Sequence, residues 1–154
     1  MLRIRPGEPD DLDVLVELEA ALFAEDAARH EPFADLTWPA REGRRDFERL
    51  LTNNRCIVLV ADSGTVAGHL VGYLAESSPT RQQATYAIIR SLYIDPRHRR
   101  RGIGSLLIER FIDWAREHRC AEVHVDAYAN NTDAQAFYEH HGFPARSVSR
   151  AREL

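Results

Sequence analysis

The chain has 154 residues, with 24 acidic side chains against 20 basic ones and a formal net charge of −4. Every one of those basic residues is Arg, because the sequence contains no Lys. That absence excludes a Schiff base on a Lys side chain, a Walker-A phosphate loop, and the kinase and Ser-Lys machineries.

A chain of this length is expected to fold as one domain, residues 1–154, with a real core. Its 44% hydrophobic and 29% charged residues are those of an ordinary soluble globular protein. Cys56 and Cys120 make no disulfide framework, which points to a reducing compartment. Met1 to Pro6 lacks the apolar core of a signal peptide. No apolar run approaches the ~20 residues of a membrane span. A cytoplasmic location without a membrane partner is therefore expected.

Leu2 to Arg5 reads as a short strand closed by Pro6-Gly7. Asp10 or Asp11 can cap a helix whose apolar period runs through Leu12, Leu15, Leu18 or Glu19, Leu22 and Phe23. Glu31 to Pro39 reads as a loop because it holds two Pro. Arg41 to Thr52 reads as a charged helix with Phe47, Leu50 and Leu51 on its apolar edge. Cys56 to Ala61 is a buried-strand pattern, followed by a turn at Asp62-Ser63-Gly64 and a strand from Val66 to Ala75. Tyr86 to Ile94 is the next strand, with Tyr86, Ile88, Leu92 and Ile94 predicted on one face. Arg101 to Glu117 is the strongest helix, with Ile103, Leu107, Phe111, Trp114 and Ala115 as its stripe. Ala121 to Ala127 alternates as a strand. Thr132 to His140 is a short helix ended by Gly142, and Ala145 to Arg152 is predicted as a last strand. The order argues for hairpins in the middle of the chain and a parallel crossover after Tyr86. The fold class is therefore α/β, a mixed, largely antiparallel sheet with helices on both sides.

The charge is uneven. Residues 1–53 hold 13 acids against 7 Arg, and residues 54–154 hold 11 against 13. A solvated acidic helix face accounts for this as well as an acidic binding wall does.

The most informative stretch is Arg97-His98-Arg99-Arg100-Arg101-Gly102-Ile103-Gly104-Ser105. A strand passes through a basic turn into a helix whose first turn carries two Gly. Free amides and the helix dipole favour a phosphate there. Leu107 stands where a dinucleotide fingerprint needs its third Gly. Arg99-x-x-Gly102-x-Gly104 resembles the R/Q-x-x-G-x-G/A signature of the GCN5-related N-acetyltransferase (GNAT) family. Asn131-x-x-Ala134-x-x-Phe137-Tyr138-Glu139-x-x-Gly142-Phe143 resembles that family's second motif, at the expected separation. The resemblance covers essentially the full chain.

The resemblance implies a sheet splayed between its fourth and fifth strands, here Tyr86–Ile94 and Ala121–Ala127, with acetyl-CoA as co-substrate in the split. It implies that Leu92, Tyr93 and Ile94 line the pantetheine. It places the pyrophosphate on the amides of Arg100, Arg101, Gly102, Ile103, Gly104 and Ser105 behind Arg99, with Asn131 also on the cofactor. It also implies direct acetyl transfer to a primary amine, with an oxyanion donor at a bulge near Leu92. Tyr138 matches the family's general acid; as bare sequence it also reads as a core aromatic. The base is open between Asp126, Glu76 and a water relay. The region between the first two helices would wall the acceptor cleft. Asp26, Glu31 and Asp35, with Phe33 and Trp38, suit a small cationic amine there.

A catalytically inactive acyl-CoA sensor and a protein N-terminal acetyltransferase are the alternative functions. A metal enzyme is not expected, since neither H-E-x-x-H nor a pair of C-x-x-C units occurs. Nucleic acid is not an expected partner, given the net charge and a pI near 6.0. The family's frequent dimers make a homodimer an expectation.

Overall fold

The computed structural model describes all 154 residues. Its strands are β1 (Arg3–Pro6), β2 (Cys56–Asp62), β3 (Val66–Glu76), β4 (Thr85–Ile94) and β5 (Val123–Val125). They form one sheet in the order β1-β2-β3-β4-β5. Three antiparallel pairings lead to a parallel one between β4 and β5. The parallel pair is joined by the crossover helix that the sequence requires. The helices are α1 (Leu12–Leu22), α2 (Trp38–Thr52), α3 (Ile103–Glu117) and α4 (Thr132–His140). None is long and apolar enough to cross a membrane.

The period-2 strands and 3.6-period helices divide the core into two layers. On one face Val58, Val60 and Val71 pack with Leu12, Leu15 and Phe47 of α1 and α2. On the other, Leu59, Leu70 and Ile89 pack with Leu107, Ile108, Phe111 and Trp114 of α3. Gly72 lets α3 close in: a Cβ there would stand 2.2 Å from the Phe111 ring.

Besides β5, which covers only Val123–Val125 of the predicted Ala121–Ala127, four details differ from the sequence expectations. First, α1 does not end at Phe23. It runs on through a π-helical turn, Phe23–Ala27, and a last turn, Ala28–His30, which places Asp26 on a helix end. Second, α2 begins at Trp38, because Pro39 falls in the first turn, where its missing N–H is no loss. Third, the bulge that the resemblance implies near Leu92 falls at Arg90 and breaks the predicted alternation of β4. Val71 pairs with Ser91 but Gly72 pairs with Ile89, so Arg90 is the extra residue. A bulge reverses the alternation. Ala87 and Ile89 before it, and Leu92 and Ile94 after it, therefore share the α3 face. Tyr86, Ile88, Leu92 and Ile94 do not lie on one face. Fourth, the last strand is not formed. The chain beyond Gly142 is irregular and mostly exposed. Val148, the lone large apolar residue in Ala145–Arg152, is 76% exposed, so a strand there has too little apolar surface to bury.

Candidate active site

The parallel pairing of β4 and β5 covers only Ala87–Ile89 against Val123–Val125. Beyond Ile89 the two strands part, and the bulge at Arg90 sits at the parting point. Acids from both N-terminal helices hold the bulged segment. Arg90 Nη1 lies 2.9 Å from Asp46 of α2, and Ser91 Oγ donates to Glu19 of α1 at 3.4 Å. Leu92, Tyr93 and Ile94 follow with no strand on the β5 side, as the splayed sheet requires.

At the far end of β4 the basic turn leads into α3. Arg100 and Gly102 both take left-handed backbone, with φ of 63° and 77°, a conformation Gly adopts without cost. The space a Cβ at Gly102 would fill is open. The first i→i−4 bond of α3 is Leu106 N–H to Gly102 O. The amides of Ile103, Gly104 and Ser105 precede it and lack intrahelical acceptors, the arrangement that holds a phosphate. Arg97 pairs with Asp95 and Arg99 with Glu25, which leaves Arg100 and Arg101 as the exposed cations of the turn without a carboxylate partner. Gly104 has a different task. A Cβ there would meet the Phe137 ring at 3.1 Å, so this Gly lets α4 dock on α3. Ser105 Oγ lies 3.0 Å from His141 Nε2.

Asn131 caps α4, its side-chain oxygen accepting from Ala134 N at 3.0 Å. Its Nδ2 donates to Asp26 Oδ1 at 2.9 Å. Two turns along α4, Tyr138 sits edge-on between Phe137 and Phe143, with centroids at 5.3 and 5.9 Å. Burial, with the Asp26 charge added, pushes its phenol up to about 12. Tyr138 is thus a neutral O–H donor across the physiological range. Tyr93 points to the other face, where burial and Glu25 also push it up to about 12.

The acceptor-side candidates divide. Asp26 has His30 Nε2 at 3.8 Å, and His30 stacks on Tyr128 at 5.3 Å. Burial raises the Tyr128 phenol, and the charges of Asp26 and Glu31 add to it, so both acids act on one place. Glu31 is exposed and accepts from Phe33 N at 3.2 Å. Asp35 is spent on its own turn, bound to Thr37 and Arg41. Trp38 stacks on Phe23 at 6.0 Å, and Phe33 is 81% exposed. Asp126 is exposed just beyond the end of β5. Glu76 is not brought to the split. It ends β3 opposite Thr85, at the other end of β4, and pairs with Arg55 at 2.8 Å. Sequence reasoning missed Glu25, His30 and Tyr128. Only the adjacency of Glu25 to Asp26 pointed to any of them.

A splayed parallel pair, an amide-rich helix start and a buried phenol are the features that an acyl-CoA-dependent acyltransferase needs. The sequence profile of the Acetyltransferase (GNAT) family matches residues 18–143, and the chain belongs to that family. It is 26% identical over 134 residues, 87% of this chain and 79% of the relative, to the [Ribosomal protein bS18]-alanine N-acetyltransferase of Escherichia coli K12. It is 23% identical over 144 residues, 92% of this chain and 90% of the relative, to an Aminoglycoside N(6')-acetyltransferase type 1 of Acinetobacter haemolyticus. The fold matches that of AAC(6')-Iy, solved with a CoA-based bisubstrate analog, at a TM-score of 0.79 and 18% identity over 100% of this chain and 99% of that one. The protein is an acetyltransferase whose family uses acetyl-CoA as co-substrate.

Proposed function

We propose that the chain transfers acetyl from acetyl-CoA directly to a primary amine, and that the acceptor is a small cationic molecule. The observation that carries the proposal is the end of β4–β5 pairing at the Arg90 bulge. It leaves Leu92–Ile94 free to pair with the pantetheine, between the amides of Arg100–Ser105 and the Tyr138 phenol.

In this reading Gly102 and the first amides of α3 hold the pyrophosphate, and Arg100 and Arg101 neutralise its charge. An amide of the bulged segment donates to the carbonyl oxygen as charge develops there. The amine enters as an ammonium and must lose a proton before it attacks. Asp126, or water next to it, takes that proton. The amine nitrogen then bonds to the acyl carbon and the C–S bond breaks. Tyr138 gives its proton to the departing sulfur, and the second proton shed by the acylated nitrogen restores the phenol. Asp26 and Glu31, whose charges act together on Tyr128, attract the cationic acceptor.

The relative from Acinetobacter haemolyticus supports a small polyamine acceptor. A second reading, a polypeptide N-terminus, draws on the Escherichia coli relative and on the exposed apolar residues Phe33 and Leu36 of the wall. The test is an assay of released CoA over linear polyamines, aminoglycosides and short peptides with free N-termini. Turnover of a small polycationic amine, with KM rising in E31Q, is the expected result. Turnover of peptides alone favours the second reading. Acetyl-CoA binding without turnover of any amine reduces the protein to an acyl-CoA sensor.

A further inference from the structure

Glu25 and Asp26 are neighbours in the π-helical turn Phe23–Ala27, yet they bind opposite lips of the split. The two carboxylate oxygens of Glu25 accept from both terminal nitrogens of Arg99, each at 2.7 Å. Arg99 belongs to the turn between β4 and α3. Its Nε donates to Ile94 O at 2.9 Å, and its guanidinium lies over the Tyr93 ring at 5.3 Å. Asp26 accepts from Asn131 at 2.9 Å, and Asn131 belongs to the turn between β5 and α4. Successive side chains on a helix point roughly 100° apart, so neighbouring acids are suited to reach in two directions. A π turn, a feature frequent at functional sites, interrupts the regular helix where they project.

Arg99 is the first residue of the Arg99-x-x-Gly102-x-Gly104 signature, but its guanidinium is committed to a carboxylate and a carbonyl of its own chain. Its charge is largely matched before any phosphate arrives. Here Arg99 acts as a strut, and the charge facing the pyrophosphate comes from Arg100, Arg101 and the amides.

We propose that Glu25 and Asp26 are positioning residues, a two-carboxylate bridge that ties the acceptor wall to both lips and sets the width of the split for acetyl-CoA. The inference rests on the reading that acetyl-CoA occupies that split. Both contacts are partly exposed: the Arg99, Glu25 and Asp26 side chains are 39%, 35% and 27% exposed. Such pairs add little to global stability. The bridge acts on geometry, because one short segment is fixed at two points on opposite sides of the opening.

The experiment uses the full chain as wild type, E25A, D26A and the double variant, because an amide oxygen at either position would still accept the bond. Acetyl-CoA binding is read by titration calorimetry, KM and kcat by CoA release, and folding by thermal melts. Each single variant is expected to raise the acetyl-CoA Kd and KM by about fivefold with Tm nearly unchanged. The double variant is expected to lose no more than the worse single, because cutting either end already frees the bridge. Losses that multiply in the double variant, or Kd values within twofold of wild type, overturn the proposal. Hydrogen exchange on the wild-type chain adds a test that no variant's folding can confuse. Acetyl-CoA should protect residues 23–30 as well as 99–105, and protection confined to 99–105 also overturns the bridge. If the wild type binds no acetyl-CoA, the reading of the split fails, and the bridge falls with it. If the wild type binds and turns over while the variants match it, the bridge alone fails.

Discussion

Glu19 Oε2 and His69 Nε2 meet at 2.9 Å in the interior, with side-chain exposures of 5% and 0%. Phe47 stands edge-on to the His69 ring at 6.1 Å, and Ser91 reaches the same carboxylate oxygen. The pair fastens α1 to β3 and to the bulged part of β4.

Burial works to raise the Glu19 carboxyl. The hydrogen bond and charge of His69, the Arg90 charge and the Ser91 hydroxyl outweigh it, and the group stays below the usual carboxylate range. A carboxylate depressed by folding adds stability above its unfolded value, ~4.3 for Glu, and loses it as pH falls through the lower folded value. Wild-type urea midpoints should therefore fall on acidification below about pH 4.3, and E19Q should show a shallower fall. E19Q should also be less stable at pH 7 by about 3 kcal/mol, since it breaks a buried pair. Equal acid slopes in the two proteins would contradict the assignment.

Gly102 and Gly104 share a motif but do different things, so their Ala variants should fail differently. At 102 an Ala has room but keeps a φ of 77°, a strain of about 1 kcal/mol. The loop should relax and the acetyl-CoA Kd should rise. At 104 the new Cβ presses on Phe137 at 3.1 Å and displaces the helix that carries Tyr138. G104A should lower kcat more than it raises Kd, with a stability loss of about 1 kcal/mol from overpacking. Calorimetry and steady-state kinetics on the two variants separate the cases; identical profiles would mean that both glycines serve the same surface.

Which parts were legible in the sequence follows from the range of the signals. The apolar stripe of α3, the Asn131 cap and the basic turn are local patterns, and each was readable in place. The contacts that shape the proposed acceptor wall are not local. Glu25 meets Arg99 across 74 positions and Asp26 meets Asn131 across 105, so neither residue's role shows in its neighbourhood. The bulge came only from the resemblance, because Arg90 on its own reads as a polar interruption of an alternating strand. Only the pairing of Val71 with Ser91 and of Gly72 with Ile89 reveals the extra residue. The unformed last strand shows the opposite failure: Ala145–Arg152 was predicted as a strand, yet it has little apolar surface to bury.

Asp126, Glu76 and a water relay were the candidates for the base, and the fold separates the two acids. Glu76 is held by Arg55 and Thr85 at the paired end of β4. Asp126 follows directly on the end of β5. E76Q should leave kcat and both KM values within twofold of wild type. D126N should lower kcat by about 100-fold if Asp126 takes the proton itself, and much less if water relays it. Rates measured from pH 6 to 9 decide between these, because a lost base removes the rise of rate with pH. A large kcat loss in E76Q with a normal melt would overturn the placement.

Tyr138 carries the last prediction. With its phenol pushed up to about 12 by burial and by Asp26, it keeps its proton throughout the range in which the enzyme can be assayed. Y138F should therefore lower kcat by about 100-fold or more while leaving the acetyl-CoA Kd near wild type, since in the proposed mechanism the hydroxyl serves the leaving sulfur and not the cofactor's grip. Wild-type kcat should show no alkaline fall from this group below about pH 10, because a raised value delays loss of the proton. Neutralising Asp26 removes one of the two causes of the shift, so D26N should bring that fall to lower pH. If Y138F retained full kcat with a saturating amine, Tyr138 would be a packing residue between Phe137 and Phe143, and the sulfur would take its proton from water.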